Sequence, residues 1–230
     1  MKHFKCSLRM CYPHKVWVKE WQTYHNKTHN DIKCKEKYHI DRVTPPVTYV
    51  YDDNTCHRCF VCKTPRQDAL AVNNWNAYHV CVDGGLIRFG YHNTIPDFKC
   101  SQDRCDSMVF DNSDLWFVEF KMNVTSDLDD QLWKELKKGI DQLKGFIFDL
   151  RCKMANKRTP LHRYFRLSHQ HCTVCMKTYP AMSVQRNNQL EDFRLETGSS
   201  YSNWSQYRNS SPMPRTTRFS TRIFADKMLT

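Results

Sequence analysis

The stretch CDSMVFDNSDLWFVEFKM, Cys105 to Met122, decides the fold. Two β-rich runs, Cys105 to Asp111 and Leu115 to Met122, flank Asn112-Ser113-Asp114, whose short polar side chains favour a turn. If Asn112-Ser113 forms a two-residue loop, Asp111 faces Asp114 and the residue numbers of cross-strand partners keep a constant sum. Asp106 then falls opposite Glu119. Because side chains alternate with period two, Lys121 shares the face of Glu119, while Val109, Trp116 and Val118 take the other. A four-residue loop keeps this register; a three-residue loop slips it by one and sends the two carboxylates to opposite faces.

Like charges directly across a hairpin are destabilising and ask for a compensating cation. Oxygen ligands from Asp106 and Glu119, with the Phe120 carbonyl and water, suit a hard octahedral ion such as Mg (or Mn). Such an ion activates water and polarises a phosphoryl oxygen, and Lys121 would position or deprotonate that water or stabilise the transition state. The plainer interpretation is a solvated hairpin face carrying Asp, Glu and Lys for solubility. Against it stands the hydrophobic flank Leu-Trp-Phe-Val-Glu-Phe-Lys, which asks for burial around Glu119.

Outward from the hairpin, Ser126 is the expected N-cap of a helix, with Asp129 completing a capping box and Asp127, Asp129 and Asp130 favoured at the positive end of the dipole. Leu132, Leu136, Ile140, Leu143, Ile147 and Leu150 form one apolar stripe at steps of three and four. Gly139 weakens this helix slightly. Of the polar stripe Gln131, Glu135, Lys138 and Gln142, the first three are assigned to solvent; Gln142 is left between solvent and the hairpin. Strands are expected at Val47 to Tyr51, ended by turn residues Asp52-Asp53-Asn54, at Cys59 to Cys62, at Tyr78 to Val82 and at Cys172 to Thr178. Asp83, beside Gly84-Gly85, reads as a turn residue rather than as a further acidic group. A short amphipathic helix is expected over Val184 to Leu195. Residues 1–44 show no helical or strand period and are expected to be a basic, poorly ordered arm; 45–196 form the domain, and 197–230 a mobile Ser/Asn/Arg-rich tail.

A chain of 230 residues with 40% hydrophobic residues can bury one substantial core. Its 35 Lys+Arg against 24 Asp+Glu, a formal net charge of +11, favour polyanionic partners such as nucleic acid. No apolar run approaches the roughly 20 residues of a membrane span, and no hydrophobic segment resembles a signal peptide, so a soluble, cytoplasmic protein without membrane contact is expected. The 12 cysteines then read as thiols or metal ligands rather than disulfides. Cys56-x-x-Cys59, Cys62 and His169-x-His171-Cys172-x-x-Cys175 have metal-ligand spacing, which makes structural Zn a secondary expectation. Cys172 and Cys175, however, would point to opposite faces of a strand. Lys177 and Arg186 are candidate phosphate contacts.

Cys105-Asp106-Ser-Met-Val-Phe, Trp116-Phe-Val-Glu119-Phe-Lys121 and a following helix with Gln142-Leu143 together resemble the PD-(D/E)xK, restriction-endonuclease-like superfamily, and are similar to its small stand-alone bacterial members. The likeness spans about the middle two-thirds of the chain. It implies an α/β fold, a restriction-endonuclease-like central mixed sheet flanked by helices. It implies a divalent metal on Asp106, Glu119 and the Phe120 carbonyl, with Lys121 and Gln142 completing the catalytic set. The implied activity is hydrolysis of nucleic acid, DNA preferred, and a homodimer is compatible with it. Cys105 replaces the proline of the family's name, and where some members carry Gln-x-x-x-Tyr this chain has Gln142 and Phe146. A non-enzymatic, zinc-stabilised nucleic-acid-binding module is the alternative.

Overall fold

A computed structural model describes residues 2–12, 40–53, 58–83, 85–86 and 104–205. The chain is a mixed α/β structure. Strands β1 (Ile40–Arg42), β5 (Tyr78–Cys81), β6 (Ser107–Phe110), β7 (Leu115–Lys121), β8 (Gln170–Met176) and β9 (Ser200–Ser205) form a six-stranded sheet in the order β1-β5-β6-β7-β8-β9. The first three junctions are antiparallel; β7–β8 and β8–β9 are parallel. Parallel neighbours need a long crossover, supplied by helix α2 (Asp129–Asn156) before β8 and helix α3 (Val184–Thr197) before β9. A second, antiparallel sheet has the order β3-β2-β4, with β2 at Thr48–Asp53, β3 at Arg58–Cys62 and β4 at Ala69–Val72.

The large sheet has two apolar faces. Met108, Phe110, Leu115 and Phe117 pack under the stripe Leu132, Leu136, Ile140, Leu143, Ile147 and Leu150 of α2, every member of which is buried. Phe193 of α3 joins this layer. Val109, Trp116, Val118, Phe120 and Cys175 face the other way, against Val50, Cys59, Leu70 and Val72 of the small sheet. The sequence predicts helices flanking the sheet. The described helices instead cover one face, and a second sheet covers the other, because Val50, Cys59, Leu70 and Val72 give that sheet an apolar inner side. Truncating a buried stripe residue such as Leu143 to Ala costs about 2–5 kcal/mol.

Three local predictions are corrected. Lys2–Cys11, expected within a disordered arm, is helix α1. Its residues Phe4, Ser7, Leu8 and Cys11 are buried at helical spacing, Phe4 meeting Phe110 edge-on at 4.8 Å and Phe165 at 4.9 Å. Tyr12 Oη donates to Asp149 Oδ2 at 2.8 Å, tying the end of α1 to α2. Residues 13–39 of the arm lie outside the described residues, and its end, also expected to be poorly ordered, enters the large sheet as β1. Asp52 and Asp53, expected to end a strand, lie inside β2. Helix α2 starts at Asp129 with Leu128 as N-cap and no side-chain cap; Ser126 Oγ accepts from Leu128 N at 3.1 Å in a turn before it.

At the C-terminal side, Ser183 caps α3 by accepting from Arg186 N, and Gly198 ends it at φ 62°, a conformation glycine adopts freely. The tail then enters the sheet as β9; residues from 206 on lie outside the described residues. After β5 the chain turns so tightly that a Cβ on Gly85 would stand 2.4 Å from the Cys81 carbonyl oxygen. Leu86 N donates to that same oxygen at 2.8 Å.

Candidate active site

The hairpin sets the geometry. Phe110 pairs with Leu115, Met108 with Phe117 and Ser107 with Val118, and Asp111 N donates to Asp114 O at 3.0 Å, so the loop is the two residues Asn112-Ser113. Asp111 Oδ1 holds the loop closed by accepting from Ser113 N at 2.7 Å and Asp114 N at 2.8 Å. Extended one step beyond Ser107–Val118, this register brings Asp106 to Glu119.

The two carboxyl groups grip each other's backbones. Asp106 N donates to Glu119 Oε2 at 3.1 Å, and Phe120 N donates to Asp106 Oδ2 at 2.6 Å. In an antiparallel pair a residue's N–H and C=O point to the same side, so the Phe120 carbonyl faces the Asp106 edge as well. Lys121 Nζ donates to Glu119 Oε1 at 2.5 Å and to Gln142 Oε1 at 2.6 Å. Gln142 Nε2 donates to Arg104 O at 3.3 Å. Asp106, Glu119, Phe120, Lys121 and Gln142, all named from the sequence, therefore meet at one place. Gln142 faces the hairpin, not solvent.

Burial makes this group electrostatically tense. Glu119 is 1% exposed; desolvation pushes its carboxyl up to about 7, overcoming the opposing pull of Lys121. Desolvation, followed by the Glu119 charge, pushes Asp106 well up too. Burial alone would pull Lys121 down, but the Glu119 carboxylate outweighs it, and the ammonium is held above its ordinary range. Burial thus favours the neutral forms of both acids, and only Glu119 is paired with the Lys121 ammonium.

Four neighbours were not foreseen as part of this site. Asp83, assigned to a turn, forms an ion pair with Arg104 at 3.5 Å, and its charge adds to the upward push on Glu119. Asp52 of β2 acts in the same direction on Asp106. Glu135, assigned to solvent, is half-buried and its charge reaches Lys121. Gly139 lets α2 approach, since a Cβ there would meet Val174 methyls at 3.0 and 3.1 Å and Glu119 Cγ at 3.3 Å. A one-turn step links Glu135, Gly139 and Gln142 on one side of the helix, and that spacing was the available signal.

No family model, curated protein or solved structure matches the chain.

Other predicted positions separate. Phe146, at the place of the Gln-x-x-x-Tyr tyrosine, is fully buried and packs edge-on against Phe117 in the core. Of the cysteine and histidine clusters, Cys56 lies outside the described residues. Cys172 joins the helix-side core and Cys175 the core between the sheets. His169 and His171 are drawn to Asp114 Oδ1, each at 3.0 Å. Among the described residues no group of three or more His, Cys, Asp or Glu is arranged to hold an ion, so the zinc grouping does not assemble there. Arg186 is not a free phosphate contact: its guanidinium serves Asp129, Asp130 and the Ala181 carbonyl and lies over Trp133. Lys177 is exposed.

Proposed function

We infer that the chain is a metal-dependent nuclease, hydrolysing nucleic-acid phosphodiesters, DNA preferred, on a restriction-endonuclease-like core. The observation that carries this is the convergence of Asp106, Glu119 and Lys121, with Gln142 brought to them from the next helix. The run β5-β6-β7, a helical crossover and a parallel β8 supports the same core.

The donor set fits Mg or Mn. Two adjacent carboxylates and a backbone carbonyl give oxygen ligands, too few for a closed protein cage but suited to an ion that keeps part of its water shell. Burial, the main cause of the raised Asp106 and Glu119 carboxyls, disfavours their charged forms unless a cation joins them. A divalent ion would supply that charge, lower the pKa of a bound water and polarise the phosphoryl oxygen. Asp106 and Glu119 would hold it beside the Phe120 carbonyl. Lys121, kept as an ammonium, acts as a positioned cation for the charge that grows on the phosphoryl oxygens rather than as a proton acceptor. Gln142 fixes the Lys121 head group by accepting a hydrogen bond from it through Oε1.

The zinc-stabilised module is not favoured, since its described ligands diverge. No helix is long and apolar enough to cross a membrane among the described residues. The test compares wild type with Glu119→Ala on plasmid and single-stranded DNA, with and without Mg or Mn. Cleavage that needs the metal and disappears in the variant is expected; equal cleavage by both proteins overturns the assignment.

A further inference from the structure

The small sheet has a second face that the core does not use. Val50, Cys59, Leu70 and Val72 point inward, so alternation turns Tyr49 and Tyr51 of β2 and Phe60 of β3 outward. All three rings are half-buried rather than covered. Tyr51 pairs with Phe60 across the strands, ring centres 6.0 Å apart. Tyr49 continues the row two residues along β2. The Arg66 guanidinium lies over the Tyr51 ring at 3.8 Å, held there by a two-pronged contact with Asp68, and the Arg58 guanidinium is 5.9 Å from the Phe60 ring centre.

Rings fixed on a sheet and flanked by arginine are what unpaired bases stack on, since every base offers a π-face whatever its sequence. Duplex DNA hides those faces. We propose that the outer face of the β3-β2-β4 sheet is a stacking platform for single-stranded nucleic acid, guiding an unpaired strand toward the Asp106/Glu119 site. This rests on the nuclease assignment for the strand's destination but not for the binding itself.

The platform adjoins that site in two ways. Val50 of β2 and Cys59 of β3, on the inner face of the small sheet, pack in one core with Val118 and Phe120, the residues on either side of Glu119. On the other side, Met176 of β8 pairs with Lys121, and the next residue, Lys177, is exposed. Lys177 is thus an exposed cation one residue beyond the pair Met176–Lys121, open to a phosphate of a strand that passes the site.

The test uses the full chain in EDTA, so that binding is read without cleavage. Fluorescence anisotropy follows a labelled oligothymidylate of about fifteen nucleotides, an abasic strand of equal length and a duplex. Tyr51→Leu/Phe60→Leu is expected to bind the oligothymidylate about ten- to a hundredfold more weakly than wild type, and wild type to bind the abasic strand and the duplex as poorly as that variant does. Equal binding of oligothymidylate and abasic strand, or an unaffected double variant, overturns the proposal. So does a wild-type dimer that the double variant dissolves without any oligonucleotide binding, which would make the face a protein contact. Photocrosslinking of a bromodeoxyuridine strand to wild type gives a check independent of variant folding: adducts on Tyr49, Tyr51 or Phe60 support the platform, and adducts confined elsewhere overturn it. If oligothymidylate binds as expected but no metal cleaves it, the nuclease assignment fails alone.

Discussion

The β6–β7 hairpin carries a pair of facing acids at each end, and the two pairs are treated in opposite ways. At the loop end, Asp111 and Asp114 are almost wholly buried; Asp111 is well supplied with donors, whereas Asp114 Oδ2 has no partner among the described residues and both histidines meet its Oδ1. Asp111 accepts from two backbone N–H groups and from Asn74, and Asp114 Oδ1 receives both His169 and His171. At the open end, Asp106 takes one backbone N–H, and Glu119 shares a backbone N–H and the Lys121 ammonium. Asp111, which closes the turn, is a structural group whose hydrogen bonds repay its desolvation. The open-end carboxyls are pushed up chiefly by burial and share one ammonium, an arrangement suited to an incoming cation.

Removing the charge should separate the two ends most sharply. Glu119→Gln keeps the shape and abolishes one anionic ligand, so metal-dependent cleavage should fall at least about a hundredfold. The metal-free protein should melt at a higher temperature at pH 8, because a buried charge is gone. Asp106→Asn should behave alike. Loss of cleavage together with a marked loss of stability would place Glu119 among the structural acids instead.

The loop end should respond the other way. Asp111→Ala strands the Ser113 and Asp114 N–H groups and the Asn74 amide, which should cost about 2–4 kcal/mol of stability by denaturant melts. Its folded fraction should cleave at the wild-type rate. An undiminished midpoint would show that the loop holds without its Asx contacts.

Acidity and alkalinity should also pull on different ends. Glu119 has a folded pKa near 7 against an ordinary 4.5, so the native state binds the extra proton between those values, and metal-free stability falls as pH rises through that window. His171 is lowered from 6.5, chiefly by burial and against the pull of Asp114. The unfolded chain therefore binds its proton first, and this contribution is lost as pH drops below about 6.5. Melting curves should show both limbs. Mg should lift the alkaline limb, Glu119→Gln should flatten it, and neither should move the acidic one. A Mg effect of equal size at pH 5 and pH 8 would break the link between the metal and the open-end acids.

Much of this hairpin was legible because its register follows from one local choice, the length of the Asn112-Ser113 loop, and period-two alternation does the rest. The apolar stripe of α2 was legible for a similar reason: six buried aliphatic positions repeat within one element. Helix α1 was hidden because Lys2, His3, Lys5 and Arg9 outweigh a buried set of four residues whose value lies in contacts with Phe110 and Phe165, far away in sequence. The roles of Asp52 and Asp83 are non-local too, since nothing near them announces the strands they approach. Asp114 shows the limit within the hairpin itself: local spacing placed it opposite Asp111, but its two histidine partners arrive from the segment entering β8.

The smallest expected effect is at Gly139, where helix propensity and site geometry oppose each other. Alanine in a helix interior is favoured over glycine by up to about 1 kcal/mol. Here its Cβ would press on two Val174 methyls and on Glu119 Cγ at 3.0 to 3.3 Å, so α2 must lift by a few tenths of an ångström or Glu119 must turn. Gly139→Ala should therefore leave stability within about 1 kcal/mol of wild type while reducing cleavage by about tenfold, through displacement of Gln142 and Lys121 from Glu119. Gly139→Val, with a larger clash and a poorer helix former, should lower both. Wild-type cleavage in Gly139→Ala would show that the open end tolerates movement, and that its tension comes from burial alone rather than from the close seat of α2 on β7.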